Sequence, residues 1–201
     1  KAPQPLLVDQ MIQLGELKPK DYNIVFPGRL HMQKGHLAFL KAFHSLIKDN
    51  QLQENQVHLF LAGDGPEREK IEETIASYKI GNYVSLLGFV QNEKLIALMH
   101  WSDLVVIPSE YEGFGNVAIE ALMQGATVLA STTGGLPEII THGENGYLFE
   151  KENAVDLNEK LQMLYNNKIK LDPAKLVASY RERFTLEAQV TTLMNILGSN
   201  A

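Results

Sequence analysis

Two cations and two acids have the types and spacing to do chemistry in this sequence. Arg29 and Lys34 stand between Gly28 and Gly35, and Glu112 and Glu120 flank the run Gly113-Phe114-Gly115-Asn116. Paired cations suit a diphosphate, the guanidinium as a fork and the ammonium as a point charge. The neighbouring glycines let the backbone fold closely around such a group. Gly113, Phe114, Gly115 and Asn116 lead into an apolar run, so their amides would sit at a helix N-terminus, where the dipole favours a phosphate. An ionised carboxylate only accepts hydrogen bonds, so Glu112 fits sugar hydroxyls and Glu120 a ribose diol. Blander readings compete: an Arg and a Lys in a loop are commonly solvated surface, and Glu120 can be helix decoration. Eight residues turn an ideal helix by roughly 80°, so only the glycine-bearing turn lets these two acids serve one ligand.

A series of short apolar runs must position these side chains. Residues 24–26, 57–62, 84–87, 104–107, 127–130 and 147–149 read as buried strands. Between them, Leu37, Leu40, Phe43, Leu46 and Ile47 recur at helical spacing, as do Ile71, Ile75 and Tyr78 after Gly63-Asp64-Gly65-Pro66, where proline falls in the first turn. Asn92 starts a further helix, Pro137 a short one, and residues 153–197 read as helices; Val8 to Leu17 holds a modest amphipathic segment. Alternating strands and helices imply right-handed crossovers and a parallel sheet. The expected fold is therefore α/β: one Rossmann-like domain with a six-stranded sheet covered by helices on both faces. Ligands in such sheets bind beyond the carboxyl ends of the strands. Arg29 and Lys34 follow the first strand and Glu112 the fourth. Phe89 and Val90, after the third, line a base pocket or are ordinary apolar loop residues, and the sequence leaves both readings open.

Composition excludes several classes. With 201 residues and 45% hydrophobic content the chain can bury one good core, and it lacks an apolar run of the roughly 18 residues a membrane span needs. The net charge of -6, without a dense basic stripe, argues against a nucleic-acid partner. No cysteine is present, which removes disulfides and thiolate nucleophiles and fits a reducing compartment, the cytoplasm by default. His31, His36, His44, His58, His100 and His142 show no metal-ligand spacing, so no metal is expected. Gly63-Asp64-Gly65 is half a dinucleotide fingerprint in the wrong place, there is no Walker lysine motif, and Ser109 lacks the context of a nucleophile.

Taken together, the residues resemble the family-4 retaining glycosyltransferases, specifically the C-terminal, donor-binding domain of their two-domain GT-B architecture. The blocks that carry the resemblance are Gly28-Arg29-Leu30 with Lys34-Gly35, Gly63-Asp64-Gly65-Pro66, Leu87-Gly88, Pro108-Ser109 through Glu112 to Glu120-Ala121, Gly134-Gly135 with Pro137-Glu138, and Gly143 with Asn145-Gly146 and Leu148. They run in order through nearly the whole chain. The resemblance implies that Arg29 and Lys34 hold the donor diphosphate and stabilise the leaving nucleotide, that Glu112 contacts the donor sugar, and that Glu120 binds the ribose. Gly28, Phe89, Val90, Phe114, Gly115 and Asn116 complete the expected donor-binding set. Ala126 stands where the family usually has proline, which changes a connection and not a ligand group.

The reaction implied is transfer of a glycosyl group, with retention, from a nucleoside diphosphate sugar to a glycan or lipid-linked acceptor, in cell-surface glycan or glycolipid synthesis, with no cofactor or required metal. The acceptor-binding N-terminal domain would precede Lys1, so the chain is expected to be half of an enzyme and inactive alone. Peripheral contact with the inner face of the membrane would belong to the full-length protein. Two other readings share the same site. A non-catalytic nucleotide-binding module would start naturally at this position, and a nucleotide-sugar epimerase would convert donor without any acceptor.

Overall fold

The computed structural model describes Val8, Asp9, Met11, Ile12, Leu17 and residues 20–198. Six strands form one sheet: β1 (Asn23–Pro27), β2 (His58–Ala62), β3 (Val84–Gly88), β4 (Leu104–Ile107), β5 (Val128–Ser131) and β6 (Tyr147–Phe149). All neighbouring pairs are parallel, and the order is β3-β2-β1-β4-β5-β6. The helices are α1 (His36–Asp49), α2 (Arg68–Tyr78), α3 (Asn92–Trp101), α4 (Asn116–Met123), α5 (Leu136–Ile139), α6 (Ala154–Asn166), α7 (Pro173–Phe184) and α8 (Leu186–Gly198). This is the expected Rossmann-like α/β fold. Part of the lead-in lies outside the described residues; within it Val8, Asp9, Met11 and Ile12 are helical.

Strand periodicity sorts the core into layers. Ile24 and Phe26 of β1 and Leu104 and Val106 of β4 pack under α1, α2 and α6 with Phe39, Phe43, Ile71 and Leu161. The alternate residues Val105 and Ile107 face α4, α5 and α7 through Ala118, Leu122, Leu136 and Leu176. Val25 and Phe60 meet Ala97 and Leu98 of α3 together with Val8, Met11 and Leu17. Each such apolar side chain contributes about 1.5–3 kcal/mol on burial. The sheet is thereby a rigid platform for the loops above it.

Two details place the loops. The strand order reverses between β1 and β4, which pair through Ile24–Leu104 and Val25–Val105, so the loops after them leave from adjacent ends at the switch point. Between β2 and β3 the register slips: Leu61 faces Leu86 but Ala62 faces Gly88, which bulges Leu87 out just before Phe89. Pro66 differs from its expected place, because α2 starts at Arg68 and the proline lies in the turn ahead of it.

Candidate functional site: two loops at the switch point

The β1–α1 loop is built by its neighbours. Gly28 takes φ +139°, a conformation L side chains rarely adopt, and its amide donates to the Ala62 carbonyl at 3.0 Å. The Leu30 amide donates to the Asp64 carbonyl at 3.0 Å. A Cβ on Gly63 would lie 1.8 Å from the Gly28 carbonyl oxygen, and one on Gly65 2.4 Å from that of Leu30. The Gly63-Asp64-Gly65 element, half a nucleotide fingerprint by sequence, thus works here as a backbone shelf under the Arg29 loop. Arg29 is exposed and has no ion-pair partner among the described residues. Past it, His31 Nδ1 accepts from the Gln33 amide to cap a short 3-10 turn, Met32–Lys34.

That turn is fastened to the β4–α4 loop. The Gln33 carbonyl accepts from the Glu110 amide at 2.8 Å and from the Tyr111 amide at 3.3 Å. Gly35 (φ +75°) passes so close to Pro108 that a Cβ there would sit 2.0 Å from its carbonyl oxygen. The outcome is a side-chain contact: Lys34 Nζ lies 2.7 Å from Glu112 Oε2. Ser109, buried, donates its hydroxyl to the same carboxylate oxygen at 3.1 Å. The expected division of labour gave the diphosphate to Lys34 and the sugar to Glu112; the structure joins the two side chains directly.

A third loop backs this arrangement. After β5, the Ser131 hydroxyl donates to the Ser109 carbonyl at 2.6 Å and the Thr133 hydroxyl to that of Glu110 at 3.3 Å. The Gly135 amide donates to the Gly113 carbonyl at 3.0 Å, and a Cβ on Gly134 would lie 1.6 Å from the Glu112 carbonyl oxygen. Glu112 precedes α4 by a few residues and lies in the loop, whereas Glu120 lies within the helix. Gly115 (φ +86°) starts α4 without a side-chain cap, leaving the amides of Asn116 and Val117 to a ligand or solvent, while that of Ala118 donates to the Gly115 carbonyl at 2.9 Å. Asn116 and Phe114 are exposed beside them. Glu120 is half-buried, and burial pushes its carboxyl above the usual range. Among the described residues no hydrogen bond joins it to Glu112.

Phe89 and Val90 stand apart, at the end of β3 and two strands from β1. Phe89 is 83% exposed, and both residues line an open hollow of about 590 Å³ with Met11, Leu86, Leu87, Gln91 and Lys94. His36, which begins α1, is buried against Phe26 with ring centroids 4.1 Å apart. Neither of its ring nitrogens has a hydrogen-bond partner among the described residues. Burial lowers its pKa from 6.5 to about 4, partly offset by the His31 main chain, and the Lys34 charge acts in the same direction as burial. Among the described residues no three His, Asp or Glu side chains are grouped to hold a metal ion, and no helix is long and apolar enough to cross a membrane. Sequence reasoning missed the roles of Ser109, Ser131 and Thr133: the partners of Ser131 and Thr133 lie in another loop, and for Ser109 only its closeness to Glu112 hinted at a link.

The family described as "Glycosyl transferases group 1" matches residues 9–184, most of the chain. The chain belongs to that family. Its relatives include an uncharacterised glycosyltransferase of Methanocaldococcus jannaschii, 40% identical over 61% of this chain and 30% of the relative. The 2-deoxystreptamine N-acetyl-D-glucosaminyltransferase of Niallia circulans is 29% identical over 72% of this chain and 36% of its own length. The chain thus spans about a third of the length of these curated relatives. Among solved structures, the C-terminal domain of a glycosyl transferase group 1 protein from Francisella tularensis superposes with a TM-score of 0.73 at 25% identity, covering 88% of this chain and 92% of that one. HepE of Anabaena, solved in complex with UDP, gives a TM-score of 0.79 at 25% identity over 99% of this chain and 54% of its own. The glycosyltransferase fold is therefore that of a C-terminal domain in this group.

Proposed function

We propose that this chain is the donor-binding domain of a retaining family-4 glycosyltransferase with GT-B architecture, taking a nucleoside diphosphate sugar at the β1/β4 switch point. The observation that carries the reading is the Lys34–Glu112 contact of 2.7 Å, which sets a cation and a sugar-competent acid side by side at the mouth of the sheet. Exposed Arg29 and the uncapped start of α4 supply further positive character for a diphosphate. In this scheme Arg29, Lys34 and the first amides of α4, with Gly28, Gly115 and Asn116 shaping the cradle, meet the charge that develops on the departing diphosphate, and no metal is required. Glu112 accepts from the sugar and Glu120 from the ribose; Phe114 lies on the α4 side of the donor, and Phe89 and Val90, two strands from β1, line the base end of the nucleotide. HepE, a relative in fold, binds UDP, which makes UDP the first nucleotide to try.

Glycosyl transfer itself needs an acceptor, a glycan or a lipid-linked sugar, and we assign its binding to an N-terminal domain outside this chain. The chain alone would then bind donor without transferring it. The full enzyme would work in the cytoplasm at the inner face of the membrane, in cell-surface glycan or glycolipid synthesis. Calorimetric titration with UDP, GDP and ADP tests the reading: one of them binds, with affinity that falls as salt is raised. If none of the three binds, the proposal fails.

A further inference from the structure

We propose that Ser109 is a positioning residue for the Glu112 carboxylate, fixing which of its two oxygens is presented to the donor sugar. The inference rests on the reading of Glu112 as the sugar contact. Both protein donors, the Lys34 ammonium at 2.7 Å and the Ser109 hydroxyl at 3.1 Å, take the same oxygen, Oε2. No described residue donates to Oε1. One oxygen is therefore held by the protein and the other is left for a substrate hydroxyl.

Lys34 alone cannot impose that choice. An ammonium is a point charge on a flexible stem and follows either carboxylate oxygen. A buried hydroxyl on a fixed backbone is directional, and this backbone is held from two sides. The Ser131 hydroxyl donates to the Ser109 carbonyl at 2.6 Å, and the Pro108 carbonyl is pressed against Gly35. Ser109 is only 1% exposed, so solvent does not compete for its proton. Lys34 must also answer to the diphosphate, whereas Ser109 serves the carboxylate alone. A hollow of about 150 Å³ lined by Ser109, Ser131 and Phe149 lies against it.

The test compares the parent, Ser109→Ala and Ser109→Thr by calorimetric titration with UDP, GDP, ADP and their glucose conjugates, alongside a crystal structure of Ser109→Ala. The readout is the ratio of diphosphate to diphosphate-sugar Kd, which isolates the sugar's share of binding. Loss of a hydrogen bond to a charged acceptor should cut that ratio about tenfold in Ser109→Ala, with affinity for the bare diphosphate little changed. Ser109→Thr, which keeps the hydroxyl, should restore it. An unchanged ratio in Ser109→Ala, or an equal loss in both variants, overturns the proposal. Should the parent bind none of the six ligands, or show no sugar contribution, the crystal structure still decides. A Glu112 carboxylate that rotates away from its Lys34-facing pose supports the assignment, and one that keeps it without the hydroxyl overturns the assignment.

Discussion

Lys34 Nζ and Glu112 Oε2 meet at 2.7 Å although 78 residues separate them in sequence. Their side chains are 28% and 14% exposed, so the pair is screened less than a surface ion pair but is not sealed from water. In the unliganded protein, one of the two cations proposed for the diphosphate is thus already partly neutralised.

Replacing Glu112 by Gln keeps the shape and removes the charge. Nucleoside diphosphate affinity is expected to hold or rise a few-fold, because Lys34 no longer shares its charge, while the additional affinity from the sugar falls about tenfold. Titration with the diphosphate and its sugar conjugate separates the two. A parallel loss of both would remove Glu112 from the sugar side of the site.

Arg29→Ala should weaken diphosphate binding without altering the fold, since the guanidinium is exposed and has no ion-pair partner among the described residues. The drop is about tenfold at low salt and shrinks as ionic strength rises. Kd measured across a salt series checks this. A salt-independent loss would point to a packing role instead.

Gly134→Ala tests the backing of the Glu112 loop. Its φ of +53° and the 1.6 Å approach to the Glu112 carbonyl oxygen leave no place for a methyl group without moving main chain. Destabilisation of about 2–4 kcal/mol is expected, lowering the melting temperature by roughly 5–15 °C. Thermal unfolding followed by circular dichroism measures it, and a drop below about 1 kcal/mol would mean that the loop yields easily.

Glu120 carries a pH signature. Burial raises its folded pKa above the unfolded value, so the folded state favours the protonated form. Its contribution to stability therefore declines as pH rises from the unfolded to the folded value. Ribose hydroxyls, in contrast, need the ionised acceptor, so nucleotide affinity should rise with pH over that same window. Glu120→Gln should flatten the profile at a lower affinity. An unaltered pH profile in that variant would detach Glu120 from the nucleotide.

His36 has the opposite sign for stability. Its folded pKa of about 4 lies below the ordinary 6.5, so the folded protein resists taking up the proton that the unfolded chain accepts. The neutral imidazole's contribution is complete above pH 6.5 and is lost as pH falls toward 4, by at most about 3 kcal/mol. His36→Phe should keep the stacking on Phe26 and remove that share of acid sensitivity. Urea unfolding of both proteins at pH 7 and pH 4.5 tests it; identical losses would rule His36 out as the source.

Much of the fold was legible because buried parallel strands read as continuous apolar runs. Leu104–Ile107 and Tyr147–Phe149 coincide with their expected bounds, and the helix faces of Leu40, Phe43 and Leu46 pack as their spacing implies. The bulge at Leu87 and the delayed start of α2 after Pro66 were not, since each depends on how one strand or loop meets its neighbour. For the site, the residue types named a phosphate and a polyol chemistry, and strand order brought Arg29, Lys34 and Glu112 to one edge. The pairing of Lys34 with Glu112 and the support of Ser109 by Ser131 lay beyond any local pattern. They arise where backbones pass within van der Waals contact, at Gly35 against Pro108 and at Gly134 against Glu112.

Those main-chain contacts constrain engineering. The four loops that follow β1, β2, β4 and β5 touch through peptide groups as well as side chains: Gly63 on Gly28, Gly35 on Pro108, and Gly134 on Glu112. A chimera that imports a single one of them from a relative would meet one or two foreign surfaces cut to a different outline. Under the proposed function, donor preference in this scaffold would be exchanged by transplanting the loops as one block, or by altering side chains on loops left in place.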